Sequence, residues 1–315
     1  MFNAFLHETF QSSVPGEEEQ QITLLQEIVG AIILGLLAIF HKVVKFYDPF
    51  GRSGKGTVAD IITGLVPHSF ITAVSPFDWD NEYYRAMLIG ARFNPVGELP
   101  ESKSIPAAIF KSVTGRDYLT ARNPGGRPVT FKNQAAHLFM TNYLINTKDH
   151  SEAFFTRWLI IEFPNSRLRS GLPIDTGLAK RIIKKEIPGI AYWALKGAMR
   201  LLANGKFSES IVHDRLMAKW RHSTNSLEEF INDCCELVSQ DEYVRRAEFY
   251  RDYKKWCDEN GRKPFAKGKV LDMIARSIGL GITHTKLDGN EIFRGVKMKD
   301  GSPKFPQQYT EVPKC

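Results

Sequence analysis

The sequence predicts a layered α/β protein: a core with a mostly parallel sheet, a short helical segment in front of it, and a small winged-helix unit behind it. Three observations carry this. Residues 42–66 read as a strand, a glycine-rich loop and a helix. Apolar strand-like runs then alternate with helical stretches as far as Phe163, the pattern of a parallel layered core. Beyond residue 226 the chain reads as three helical stretches followed by two short β-rich runs.

Taken in order, residues 1–21 are mixed and then acidic at Glu17-Glu18-Glu19, and read as a short helix and loop. Ile22–Phe40 reads as a helix. Its second half, Ile28–Phe40, is nearly all apolar, yet shorter than the roughly 18–20 residues a membrane span needs. No basic stretch precedes it and no small-residue cleavage site closes it, so it reads as a buried helix leading into the first core strand. Val43–Tyr47 is that strand, β-branched and aromatic, and Thr57–Val66 is a helix. Met87–Leu99 holds a second strand ending in Val96-Gly97-Glu98-Leu99. Ile105–Val113 is helical, and Ala121–Lys132, with its Gly, Pro and basic residues, is a hairpin. Ala135–Thr141 and Trp158–Phe163 are strongly apolar strands. Residues 177–203 place apolar side chains at three and four spacing, a helix. Leu216–Ser226 is polar and reads as a linker. Helices over 227–238, 245–259 and 267–278 and strands near 281–285 and 291–297 complete the winged-helix reading. The organisation expected is a helical segment 1–40, a core 41–215 with a helical extension, a DNA-binding winged helix 227–300 and a tail 301–315.

Composition narrows little. The chain has 315 residues, 43% hydrophobic and 24% charged, ordinary for a soluble globular protein. Its net charge of +7 leans toward a polyanionic partner. Cys234, Cys235, Cys257 and Cys315 form no C-x-x-C pair; reduced thiols in a cytoplasmic protein are the simplest reading.

The chemistry starts at Gly51-Arg52-Ser53-Gly54-Lys55-Gly56-Thr57, a Walker A type sequence. Glycines let successive backbone N–H groups point at phosphate oxygens, the lysine reaches the outer phosphates, and the following helix N-terminus adds its own attraction. The full pattern is G-x-x-x-x-G-K-[ST]. Here Pro49 stands at the first glycine, Gly56 at the Ser/Thr position with Thr57 one step late, and Asp48 brings negative charge close to the expected phosphates. The plain alternative is a glycine turn between a strand and a helix. Hydrolysis also needs a carboxylate beside the loop. Glu98 fits, although Glu-Leu-Pro-Glu-Ser is equally good loop chemistry. Asn142, closing its strand, can orient water against a γ-phosphate or simply end a turn. Arg157 can neutralise charge on a neighbouring subunit's γ-phosphate or make a surface ion pair.

In this order and spacing the sites resemble the superfamily 3 helicases, and more narrowly the C-terminal helicase half of phage and plasmid primase-helicases, the group that includes the poxvirus primase-helicases. Phe5–Gly35 is similar to the end of the helical segment preceding the ATPase. Gly51–Thr57 matches the Walker A segment, Val96-Gly97-Glu98-Leu99 the Walker B segment and Phe139-Met140-Thr141-Asn142 motif C. Ala153-Phe154-Phe155-Thr156-Arg157 resembles the arginine-finger segment. The resemblance implies a P-loop core of AAA+ type, assembled as a homo-oligomeric, normally hexameric, ring that moves along single-stranded DNA using ATP and Mg²⁺. It implies that Lys55 and Thr57 hold phosphate and Mg²⁺, Glu98 activates water, Asn142 senses the γ-phosphate and Arg157 acts on the next subunit's ATP. Lys111, Arg122 and Lys132 are the candidates for the central channel. In the tail unit Lys254, Lys255, Lys267 and Lys269 are the candidates to follow DNA phosphates, which Lys and Arg neutralise without reading sequence. Tyr250, Tyr253 and Trp256 read as core.

The function expected is therefore an ATP-dependent DNA helicase in replication of a phage, plasmid or integrated element, with no membrane role. The chain begins where family members are already partway along, which suggests a fragment of a longer gene, a decayed prophage product or a partner of a separate primase. Pro95 is unexpected in a central strand, because proline removes a ladder donor. Gly-Lys-Gly-Thr also suits a P-loop nucleotide kinase, and a non-catalytic DNA-binding remnant is the third reading.

Overall fold

The computed structural model describes residues 1–147, 149–276 and 281–299, so the expected tail and Cys315 lie outside the described residues. The chain divides into two compact units, the first ending at Thr224 and the second beginning at Asn225.

The first unit opens with α1 (Phe2–Phe10), α2 (Glu17–Leu34) and the short α3 (Leu36–Ile39). The single helix expected over Ile22–Phe40 is broken at Gly35, whose φ of 68° is left-handed and caps α2 through its own N–H, a common way for a helix to stop. β1 (Val43–Tyr47) leads through the glycine loop into α4 (Lys55–Thr63). Then follow α5 (Glu82–Ala86), β2 (Phe93–Val96), α6 (Ala107–Thr114), the hairpin of β3 (Tyr118–Ala121) and β4 (Val129–Lys132), and β5 (Ala136–Thr141). α7 (Glu152–Phe155), β6 (Trp158–Glu162), α8 (Leu178–Asn204) and α9 (Ile211–Thr224) complete it.

The central sheet runs β2-β5-β1-β6, and all three pairings are parallel. Such a sheet must be covered on both faces. One face packs α1, α2, α4 and α8 onto Val44, Phe46, Leu138 and Ile161. The other packs α6, α7 and α9 onto Val43, Phe139, Trp158 and Ile160. The alternation within each strand is the period of two that sends successive side chains to opposite faces. α2 and α8 cross so closely that a Cβ at Gly30 would lie 2.2 Å from the Ala194 carbonyl oxygen, and one at Gly197 would lie 2.4 Å from that of Gln26. Only glycine permits this approach.

Two sequence expectations change here. The stretch Leu216–Ser226 is not a linker. It belongs largely to α9, whose Val212, Leu216, Met217 and Trp220 are buried in the core, so the first unit extends past residue 215. Pro95 sits in β2, at the end of the hydrogen-bonded sheet. Arg92 O accepts from Ala136 of β5 while Phe93 O accepts from Thr72 on the far side. Alternation then turns the missing Pro95 donor away from β5, where its loss costs no ladder bond.

The second unit contains α10 (Ser226–Cys234), β7 (Cys235–Leu237), β8 (Tyr243–Arg245), α11 (Arg246–Glu259), α12 (Lys267–Arg276), β9 (Thr283–Leu287), β10 (Asn290–Arg294) and β11 (Val296–Met298). Three helices and an antiparallel sheet ordered β8-β10-β9 make a winged helix. The helix expected to reach residue 238 stops at Cys234, because Cys235–Leu237 pairs with β11 instead. Tyr253 is fully buried, and Tyr250 and Trp256 pack against the same core, in keeping with their reading as core residues.

Candidate functional site

Both candidate strand-end residues follow from the sheet. Parallel strands place their C-terminal ends on one edge, and loops at that edge converge. β1 delivers the glycine loop, the neighbouring β5 delivers Asn142, and β2, next beyond β5, delivers Glu98. Strands lie about 4.8 Å apart, so β2 is about 10 Å from β1. That separation leaves a gap between the loop and Glu98 with Asn142 at its centre.

Two of these side chains meet across the gap. Lys55 Nζ donates to Asn142 Oδ1 at 2.6 Å. Burial lowers the Lys55 pKa, while the charges of Asp48 and Glu98 oppose that shift. Glu98 and Asn142 are exposed at the strand ends, open to a ligand.

The glycine loop has the backbone an anion site requires. Gly51, Arg52 and Gly54 all have positive φ, at 71°, 60° and 89°. The first α4 hydrogen bond runs from Val58 N–H to Gly54 O, so the amides of Lys55, Gly56 and Thr57 have no partner within the helix and face its open end. A Cβ at Gly51 or Gly56 would meet nothing within 4 Å, which leaves room in front of the loop. Behind it, Ser166 Oγ donates to Gly51 O at 2.6 Å, and Arg167 N–H donates to Arg52 O at 3.2 Å. The α1 side chains Phe5 and Thr9 close against Gly54.

Asp48 does not behave as the sequence suggests. Its carboxylate is 2% exposed and accepts hydrogen bonds from the loop itself, from Gly51 N–H at 2.7 Å and Ser53 Oγ at 2.8 Å. No sequence pattern announced this. The only hint is an aspartate just before a turn, where such side chains bond to the backbone that follows.

Arg157 lies elsewhere. It precedes β6, whose Trp158 pairs with Val43 while Glu162 pairs with Tyr47, so it sits at the opposite edge of the sheet from the loop. A five-residue strand separates them, roughly 16 Å. Nor is it freely exposed. Its Nε donates to Thr114 Oγ1 at 2.9 Å, its guanidinium donates to Ala153 O, and Asp117 and Asp149 oppose the lowering of its pKa by burial.

The candidate nucleic-acid residues are scattered and partly engaged. Lys111, on α6, pairs with Asp149 at 2.9 Å. Arg122 pairs with Glu82 at 2.7 Å and donates to the Tyr83 hydroxyl. Lys132 lies 4.3 Å from the centre of the Tyr118 ring, and that ring is 74% exposed. In the second unit Lys254 is exposed, Lys255 pairs with Glu259 at 3.4 Å, Lys267 faces the Tyr250 ring, and Lys269 faces Phe265. Among the described residues no helix is long and apolar enough to cross a membrane, and no group of three His, Cys, Asp or Glu side chains is placed to hold a metal by itself.

A family model described as a family of unknown function (DUF5906) matches residues 49–157, a segment that contains Lys55, Glu98, Asn142 and Arg157. No curated protein matches the chain. Among solved structures, the chain is similar to the A form of the apo NrS-1 C-terminal region. The TM-score is 0.50 at 13% identity, covering 92% of this chain and 74% of that one. Another apo structure of that region, residues 305–718, gives a TM-score of 0.49 at 13% identity, covering 94% and 75%. The JCV helicase is also matched, at a TM-score of 0.34 and 15% identity over 72% and 67%, too low to argue from. At this level of identity the likeness is one of fold: the chain shares its architecture with the NrS-1 C-terminal region.

Proposed function

We propose that this chain is an ATP-hydrolysing DNA helicase of superfamily 3 type, acting in the replication of a phage, plasmid or integrated element. The observation that carries the reading is the 2.6 Å contact between Lys55 and Asn142, with the charge of Glu98, at the end of the next strand, acting on the same lysine. A loop lysine, a strand-end amide and a strand-end carboxylate, brought together from positions far apart in sequence, are the groups that bind and hydrolyse a triphosphate.

In this reading the amides of Lys55, Gly56 and Thr57 hold the β- and γ-phosphates and Lys55 neutralises them, exchanging Asn142 for a phosphate oxygen. Thr57 contributes its hydroxyl to the Mg²⁺ that accompanies ATP and spreads the developing charge. Glu98, exposed just beyond β2, takes a proton from water in the gap, and Asn142 aligns that water. Arg157 cannot reach its own loop, so its cation serves the triphosphate of an adjoining subunit in a ring. The β3–β4 hairpin offers Tyr118, Arg122 and Lys132 to single-stranded DNA, and the winged helix offers Lys254, Lys255, Lys267 and Lys269.

The test is ATP turnover with and without single-stranded DNA. Turnover stimulated by DNA, and lowered about 100-fold or more by Lys55→Ala, is the expected result. Full activity in Lys55→Ala, or phosphate transfer to a nucleoside monophosphate in place of DNA-stimulated hydrolysis, contradicts it. DNA binding with no turnover in the wild type would leave only a non-catalytic binding protein.

A further inference from the structure

We propose that Asp48 is a positioning residue that braces the glycine loop in its phosphate-ready shape, taking over from the turn-forming glycine whose place Pro49 occupies. The proposal rests on the nucleotide reading above and adds a residue to it.

The geometry is that of an internal anchor. Asp48 is still held to the sheet, its N–H donating to Thr141 O at 3.0 Å, one residue before Asn142. Its carboxylate then reaches forward over the loop. Oδ1 accepts from Gly51 N–H at 2.7 Å, from Ser53 Oγ at 2.8 Å and from Phe50 N–H at 3.3 Å. Oδ2 accepts from Ser53 N–H at 3.4 Å. These bonds grip the loop on both sides of Arg52, whose φ of 60° is a conformation a non-glycine residue adopts only when its surroundings enforce it.

The donors that Asp48 takes are those at the front of the loop. The amides at the start of α4 are untouched by it and remain for the anion. The carboxylate is thus occupied by the loop's own amides and by the Ser53 hydroxyl. Asp48 also helps keep Lys55 charged against its burial. A glycine at the first position of the usual pattern lets the chain turn freely. Here proline cannot do so, and hydrogen bonds from a buried carboxylate supply the turn instead.

The experiment is a calorimetric titration of the full chain with Mg-ATP, paired with steady-state turnover, for wild type, Asp48→Ala, Asp48→Asn, Ser53→Ala and Lys55→Ala. Loss of several charge-assisted hydrogen bonds should weaken Mg-ATP binding by Asp48→Ala about tenfold or more, and raise KM for ATP by a similar factor. Asp48→Asn keeps the Oδ1 acceptor and should stay within about threefold of wild type. Ser53→Ala should weaken binding in the same direction by a smaller factor. If Asp48→Ala does not fold, as judged by circular dichroism, the Asn and Ser53 variants decide. Binding by Asp48→Ala as tight as wild type, or tighter, overturns the brace and marks the carboxylate as a mere repulsive charge. So does Asp48→Asn losing as much as Asp48→Ala. Lys55→Ala separates the two levels: if it abolishes binding while Asp48→Ala does not weaken it, the brace alone falls. If wild type fails to bind, or Lys55→Ala binds normally, the nucleotide reading falls and the brace with it.

Discussion

At the carboxyl end of the parallel sheet, Lys55, Glu98 and Asn142 come from three strand ends and face one gap. At the amino end, burial and then the charge of Arg157 lower the Lys42 pKa, and both cations are tied back to the protein. Lys42 Nζ donates to Thr156 O, and Arg157 donates to Thr114 and Ala153. The first end sets a lysine, an amide and a carboxylate around one opening, whereas the second holds its two cations on the protein's own oxygens. The contrast teaches that a parallel sheet sorts chemistry by edge. Strand direction gathers the loops that follow the strands at one edge and the residues that precede the strands at the other.

Three substitutions probe the two edges and the strand between them. The largest effect is expected for Arg157→Ala. If Arg157 serves a neighbour's triphosphate, hydrolysis should fall about 1,000-fold with ATP binding spared. Variant subunits mixed into wild type should depress turnover more than in proportion to their share. Strictly proportional loss in mixed assemblies would show that the amino edge has only a structural task. Glu98→Gln comes next. It preserves shape and removes the base, so kcat should fall about 100-fold while the ATP dissociation constant barely moves. A variant that loses binding and keeps kcat would place Glu98 outside the chemistry.

The smallest effect concerns Lys45, in the strand that joins the two edges. Its amine is fully buried, finds no hydrogen-bond acceptor among the described residues and lies 4.7 Å from the centre of the Trp220 ring. Burial drives its pKa well below 10.5. The unfolded chain therefore binds a proton that the folded chain lacks, and stability climbs with pH toward the ordinary lysine value. Lys45→Met should stabilise the fold by about 1–3 kcal/mol at pH 7, an advantage that shrinks as pH rises to 10. Urea denaturation at the two pH values measures this. A variant less stable at pH 7 would show that the aromatic rings more than offset the buried amine.

Much of this architecture was legible because it is written locally. Val43–Tyr47 is apolar at four of five positions and is followed three residues on by Gly51-Arg52-Ser53-Gly54-Lys55, so strand, loop and helix read together. Asn142 was legible as the polar end of an apolar strand. What escaped was decided by distant partners. Arg157 looked exposed because Thr114, its hydrogen-bond acceptor, lies 43 residues away. The α9 helix was mistaken for a linker because its surface is polar, although Val212, Leu216 and Trp220 at four-residue steps held the helical stripe. β7 was absorbed into the preceding helix because three residues have no period of their own, and pairing with Val296–Met298 decides their conformation. Asp48 looked like an obstacle to phosphate because a sequence shows a charge without showing where it points.

The measurement that bears most directly on the central claim is a crystal structure of the chain with Mg²⁺ and a non-hydrolysable ATP analogue. The expected result is a triphosphate on the amides of Lys55, Gly56 and Thr57, with Lys55 moved from Asn142 onto a phosphate oxygen and Glu98 and Asn142 flanking the γ-phosphate. A nucleotide bound anywhere else, or a triphosphate with Glu98 and Asn142 turned away from it, would contradict the assignment of this edge as a site of hydrolysis.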